Sequence, residues 1–356
     1  MRRAVRVPTE RARRGPVPGP LGRAASRIYA GVVARRNRAF DRGERVTDVG
    51  LPVISVGNLS VGGTGKTPTV VRLVRELRAA GAKPAIAMRG YGARTPDEMS
   101  DEHAEYLSRL GPTPIVAQPD RVEGIRSLRA RDPSVTCVVL DDGFQHRFVR
   151  RAVDLVLLDA TRDVFSDSLL PAGWLREPVE SLARAHAVVL THAEGAPAER
   201  VASMRAHVAR QAPGAHAAVA RHVWDGVESG DGVAPVESLR GRRLWVACAV
   251  GNPDAFVAMA RAAGVDVAGV DARRDHARYD ERGVRAIARS AVDAGAEGVL
   301  TTAKDWVKIE PAMRGMAPGE TPPFLRPVLG VAFDEGGEGL LGMVLDAAGA
   351  PGVVPS

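Results

Sequence analysis

The chain has 356 residues, 45% of them hydrophobic and 26% charged, which excludes a disordered, collagen-like or disulfide-scaffold protein and gives room for about two domains. Its net charge of +7 is uneven: residues 1–48 carry thirteen Arg and four acids, a local +9, so the remainder sums to −2. Cys137 and Cys248 both lie in apolar runs and read as buried small hydrophobes rather than metal ligands or a staple, which fits a reducing compartment.

In the basic segment, Leu21, Ala25, Ile28, Val32 and Val33 recur at helical spacing beside Arg23, Arg27, Arg35, Arg36 and Arg38. That is an amphipathic helix with a cationic face, of the kind that lies in a membrane interface and attracts anionic lipid. No stretch reaches the roughly 18 apolar residues of a spanning helix. Residues 14–34 also lack the apolar run and cleavage site of a secretory signal. The plainer alternative is a basic helix packed on its own domain behind an Arg-rich lead. A nucleic-acid arm is disfavoured, because no recognition motif or aromatic platform follows it.

After Gly50, short continuous apolar runs alternate with helical stretches, the pattern of a parallel sheet buried on both faces. Strands are predicted at 52–56, 84–88, 114–117, 135–140, 155–158 and 187–190, with helices at 67–80 and 121–131 among them. A stretch containing Gly, Asp and Pro at 225–241 marks a domain boundary. A smaller alternation follows: strands at 244–250, 265–270, 298–302 and 328–332, helices at 253–263 and 282–294. The expected organisation is a basic segment 1–48, a core 49–225, a linker 226–241, a smaller α/β domain 242–346 and a frayed tail 347–356.

Residues 53–67, VISVGNLSVGGTGKT, run from an apolar strand through a glycine-rich turn into Lys-Thr at a helix start, the context of a phosphate-binding loop. The first domain therefore reads as a P-loop NTPase-like parallel sheet flanked by helices. Backbone amides over Ser60, Val61, Gly62, Gly63, Thr64 and Gly65 turn toward phosphates, Lys66 reaches the outer oxygens, and the Thr67 hydroxyl can ligate Mg²⁺. The strict motif has Gly where this chain has Ser60. In a chain with 45 Arg and four Lys, a Lys at this place points to a need for a compact charge. The run VTCVVLDD ends in Asp141 and Asp142 at a strand's carboxyl end, where parallel sheets bind ligands, and either could hold the metal.

A phosphate loop alone does not identify an acceptor. GNLSVGGTGKTP (57–68), RGYG (89–92), DDGFQHR (141–147), LLPAGWLREP (169–178) and TAKDWVK (302–308) together closely resemble the tetraacyldisaccharide 4′-kinase family, the lipid A kinases of Gram-negative bacteria, in order from about residue 29 to 332. The resemblance implies transfer from ATP, with Mg²⁺, to the 4′-hydroxyl of an acylated glucosamine disaccharide 1-phosphate. It also implies two α/β domains joined by a short β linker, a catalytic cleft, and a peripheral place on the cytoplasmic face of the inner membrane through the N-terminal helix. Neither nucleic acid nor an obligate protein partner is expected.

The resemblance further implies site residues. The acidic pair supplying the base falls on Asp101 and Glu102, with Ser100 where the family usually has glycine; the same residues also make a good helix start. Asp275 and His276 match an Asp-His element in which His276 assists the base, with Ala277 where a second histidine is common. His146 is placed on the transferred phosphate, Arg121 on phosphate charge, Glu177 in the metal shell, and Arg89 and Tyr91 on the acceptor side. Trp174 stands where the family more often has Pro. Lys304 and Asp305 are adjacent, whereas guanine-reading motifs separate that pair, so guanine specificity is not supported. The competing reading from another class is a membrane-associated P-loop ATPase or GTPase switch with no small-molecule acceptor.

Overall fold

The structure, a computed structural model, describes residues 15–90, 101–230, 232–250, 253–274, 277–317 and 319–350, with the backbone alone at Asp101. Two compact units emerge, Met1–Arg221 with Ala332–Ser356, and His222–Val331.

The sheet of the first unit contains β1 (Val53–Asn58), β2 (Pro84–Met88), β3 (Ile115–Ala117), β4 (Cys137–Asp141), β5 (Val153–Asp159), β6 (Ala187–Thr191) and the start of β7 (His216–Ser229), in the order β7-β6-β5-β1-β4-β2-β3. These neighbours pair in parallel. Every residue of β1, β2, β4, β5 and β6 is buried, as continuous apolar runs require when helices cover both faces. The six predicted strands are present. β7 was not foreseen.

Helices α2 (Lys66–Ala79), α3 (Asp101–Leu110), α4 (Arg121–Arg131) and α5 (Ala198–Gln211) complete the crossovers. α2 buries Val70, Leu73, Val74 and Leu77, a helical-period stripe. α4 starts at Asp120, whose carboxylate accepts from the Glu123 amide at 3.1 Å.

In the second unit, β9 (Arg243–Cys248), β10 (Asp266–Ala272), β11 (Gly298–Thr301) and β12 (Phe324–Phe333) lie in the order β10-β9-β11-β12, again in parallel, with α6 (Pro253–Ala262), α7 (Glu281–Asp293) and α8 (Ala303–Met313). The TAKDWVK segment is a structural tie here. Thr302 caps α8, and the buried Asp305 carboxylate accepts from the Ala249 amide at 2.9 Å and the Thr302 hydroxyl at 2.8 Å.

The expected domain boundaries need correction. Residues 226–241 form no linker: β7 runs on to Ser229, β8 (Gly232–Ala234) pairs with it antiparallel, and Leu239 is buried in the second unit's core. Residues 332–350 belong to the first unit, because α9 (Gly337–Ala347) packs beside α2 and β5 through Leu340, Val344 and Leu345. Ala348 and Ala350, placed in a frayed tail, are buried.

The basic segment yields α1 (Pro20–Asp41), docked on the first unit. Its inward face is Gly22, Ser26, Val33 and Phe40; the Ser26 hydroxyl donates to the Leu169 carbonyl at 2.8 Å and Tyr29 to the Arg176 carbonyl at 2.9 Å. The fully buried Glu177 anchors this face, accepting from Arg36 at 3.1 Å and Asn37 at 2.8 Å and pairing with Arg184 at 2.9 Å. Val33 and Arg36 thus point inward, whereas Leu21 (75% exposed), Ile28 (73%) and Val32 (62%) stay outside. Removing the carboxylate strands charges that it neutralises, so Glu177→Ala is expected to cost about 3 kcal/mol of unfolding free energy in urea. A loss under about 1 kcal/mol would contradict this anchoring role.

Candidate active site

The phosphate loop is held before any ligand arrives. Asn58 closes β1 and donates from its amide to the Thr64 hydroxyl at 3.0 Å, while Thr191, at the end of β6, donates to the Thr64 carbonyl at 3.1 Å. Gly62 (φ +127°) and Gly65 (φ +78°) occupy backbone conformations that L side chains rarely adopt. Gly62 and Gly63 are exposed, and Lys66 opens α2 directly after the turn. Ser60 is buried and sits opposite Leu175 in an antiparallel bridge. Around that bridge the Val61 amide donates to the Trp174 carbonyl at 2.8 Å, and the Arg176 amide to the Leu59 carbonyl at 2.7 Å. Val61 was expected to offer its amide to phosphate; here that group is committed to the 169–176 loop. Trp174 contributes to this pairing through its backbone, so the absence of a proline there leaves the pairing intact.

Asp141 and Asp142 end up in opposite environments. Asp142, with φ +51°, turns to Arg176, which donates to both its oxygens at 3.1 and 2.8 Å, and to Lys66 at 3.5 Å. Burial pushes its carboxyl up, but Lys66 and Arg176 outweigh this and hold it below the usual aspartate range. Asp141 lies level with Val56 of β1 and is 5% exposed. Its Oδ2 accepts from the Tyr106 hydroxyl at 2.9 Å, and its Oδ1 is buried with no hydrogen-bond partner among the described residues. Burial raises the Asp141 carboxyl to about 6 against the pull of Tyr106 and Lys66. The Thr67 side chain lies next to the Tyr106 phenol. A buried, unsatisfied carboxylate oxygen beside a hydroxyl is a hard-oxygen donor set that fits Mg²⁺.

His146 and Arg121 form a second pair. Arg121, nearly buried at the start of α4, faces the His146 Nδ1 at 3.1 Å. Burial and then Arg121 and Arg151 lower the histidine to about 4, so the ring is neutral at pH 7. A guanidinium only donates; Nδ1 is therefore the acceptor and Nε2 carries the proton. That Nε2–H is buried and has no partner among the described residues. Arg89 adds to the positive field at this ring.

Glu177 requires a correction, since both its oxygens are engaged by Arg36, Asn37 and Arg184 and are not offered to a metal. Glu102 begins α3 one turn before Tyr106, and its charge is felt at both Tyr106 and Asp141. The side chain of Asp101, together with Tyr91, Ser100, Asp275 and His276, lies outside the described residues. Asn58, Tyr106 and Arg176 were not assigned roles from sequence. Arg176 stands within the LREP segment next to Glu177, and Tyr106 is four residues after Glu102, on the same helical face.

Because the folded-state value of Asp141 lies above 3.8, its ionisation opposes folding. The cost is absent where the carboxyl is protonated in both states, grows from about pH 4 to 6, and is full above that. The gap is worth about 3 kcal/mol. Asp141→Asn is therefore expected to stabilise the ligand-free protein by about that amount at pH 8 in urea melts, with the gain shrinking toward zero near pH 4. A gain independent of pH would contradict it.

Comparisons with known proteins identify the family. A family model described as tetraacyldisaccharide-1-P 4′-kinase matches residues 20–318. The tetraacyldisaccharide 4′-kinase of Anaeromyxobacter dehalogenans (strain 2CP-C) is 36% identical over 84% of this chain and 85% of its own length. That of Geobacter metallireducens is 37% identical over 80% of this chain and 87% of its own. The crystal structure of LpxK from Aquifex aeolicus in complex with ATP superposes with a TM-score of 0.65 at 26% identity, covering 91% of this chain and 97% of that one. With the family match spanning most of its length and its phosphate loop, paired aspartates and doubled α/β architecture in place, this chain belongs to the tetraacyldisaccharide-1-P 4′-kinase family.

Proposed function

We propose that this chain carries out its family's reaction, transfer of the γ-phosphoryl group of ATP to the 4′-hydroxyl of an acylated glucosamine disaccharide 1-phosphate, with the residues gathered at the carboxyl edge of β1 and β4. The observation that carries the reading is the division of the aspartate pair: Asp142 is neutralised by Arg176 and Lys66, while Asp141 keeps an oxygen open beside Thr67.

Phosphoryl transfer is largely positioning and charge stabilisation. Lys66 and the loop amides hold the ATP phosphates, and Arg176 keeps Asp142 neutralised when Lys66 turns to them. Thr67 and Asp141 would hold Mg²⁺, which would offset the negative charge of the phosphates during transfer. His146 donates through Nε2–H to the transferred group, and Arg121 adds positive charge beside it. Asp101, with Glu102 and assisted by His276, takes the proton of the attacking hydroxyl.

Docking at a membrane belongs to the same reading, since the acceptor is an acylated lipid. Leu21, Ile28 and Val32 form an exposed stripe on α1, with Arg23, Arg27, Arg35 and Arg38 also exposed on this helix. Burying such side chains in the interface is worth about 1.5–3 kcal/mol each, and arginines near anionic lipid add about 1 kcal/mol each. No helix among the described residues is long and apolar enough to cross a membrane. A peripheral place on the cytoplasmic face, where ATP is available, follows.

With labelled ATP, Mg²⁺ and the acylated disaccharide 1-phosphate, the protein should form a new phosphomonoester on the lipid, and Asp101→Ala should lower kcat by about 10²–10⁴. Acceptor-independent ATP hydrolysis with unlabelled lipid would instead support a nucleotide switch. Leu21→Asp/Ile28→Asp/Val32→Asp should no longer sediment with vesicles containing anionic lipid, while the unaltered protein does so in a salt-sensitive manner. Equal sedimentation would remove α1 from membrane docking.

A further inference from the structure

One buried polar group at the site is not used by the proposed chemistry. Tyr106, on α3, is fully buried, yet its hydroxyl is enclosed by polar partners. It donates its single proton to Asp141 Oδ2 at 2.9 Å. The Thr67 side chain lies beside the same phenol. The proton between Tyr106 and Asp141 is placed: the phenol donates and Oδ2 accepts.

This bond has a consequence for the proposed metal ligand. Asp141 has Oδ2 occupied, and Oδ1 is its remaining buried acceptor among the described residues. That oxygen is the one left to a cation at this edge. Outer partners that hold ligands in this way are worth about 10–100-fold in metal affinity.

We propose that Tyr106 is a positioning residue for the divalent cation, holding the Asp141 carboxylate by Oδ2 so that Oδ1 is the oxygen turned to the metal. The inference rests on the reading that Thr67 and Asp141 hold Mg²⁺. It differs from a packing role in what it affects: the metal-dependent part of nucleotide binding rather than the nucleotide itself. Tyr106→Phe keeps the ring and its contacts and removes only the hydroxyl that holds Asp141.

The test is Mn²⁺ binding followed by electron paramagnetic resonance in the presence of ATP, alongside ATP binding in EDTA, for the unaltered full chain, Tyr106→Phe, Asp141→Asn and the double variant. Tyr106→Phe should bind Mn²⁺ with ATP about 10–100-fold more weakly while its ATP affinity in EDTA is unchanged. In the Asp141→Asn background the same substitution should have much less effect on Mn²⁺. That comparison carries the test if the single variant folds poorly, because the double variant leaves no buried carboxylate without its donor. Unchanged Mn²⁺ affinity in Tyr106→Phe would overturn the proposal, as would a parallel loss of ATP affinity in EDTA. No ATP-dependent Mn²⁺ signal from the unaltered protein would overturn the metal reading beneath it.

Discussion

Two adjacent carboxylates at the end of a buried strand repel each other and cost more to ionise than either would alone. This protein resolves the conflict by giving them different neighbours. Asp142 bends through a left-handed backbone conformation into the arms of Arg176 and the reach of Lys66, while Asp141 stays on the strand and accepts from a phenol. The first becomes a settled ion pair and the second a held carboxylate, one of whose oxygens has no partner among the described residues. The positions of the loop, of α3 and of the 169–176 segment all bear on that asymmetry.

The loop itself shows the same economy of construction. Its backbone must leave amides facing outward, so it is held from behind: Asn58 and Thr191 grip Thr64, and the 169–176 segment pairs with Leu59 and Val61. That segment reaches Asp142 with the Arg176 side chain, and Glu177 beside it anchors α1. Adjacent residues therefore connect the nucleotide edge to the helix proposed to meet the membrane. A rigid link of this kind suits an enzyme that takes one substrate from water and the other from a lipid surface.

Features determined locally were legible in the sequence. The apolar run of β1, the glycine turn and Lys66 at a helix start lie within fifteen residues, and the fold confirms their context; Asp141 and Asp142 were recognisable as a strand-end pair. What separates the two aspartates was not legible, because it comes from Arg176, 34 residues away from Asp142, and Tyr106, 35 away from Asp141. Glu177 was misplaced for a related reason: a lone acid in a loop does not reveal that Arg36 and Arg184 will converge on it. β7 was missed because Arg221, His222 and Asp225 interrupt its apolar positions, and α9 because its glycines resemble a tail. α5 buries only Met204 and Val208, too narrow a stripe to detect by period. The exposed stripe of α1 was anticipated, although Val33 and Arg36 turned out to face inward.

The central claim is that the paired aspartates have separate tasks, with Asp141 holding the metal and Asp142 holding the cations. The most direct measurement compares Asp141→Asn with Asp142→Asn for ATP-dependent Mn²⁺ binding by electron paramagnetic resonance. A weakened but measurable bound-metal signal in Asp141→Asn, with the signal unchanged in Asp142→Asn, is the predicted result. The reverse pattern, or equal loss in both, would contradict the account.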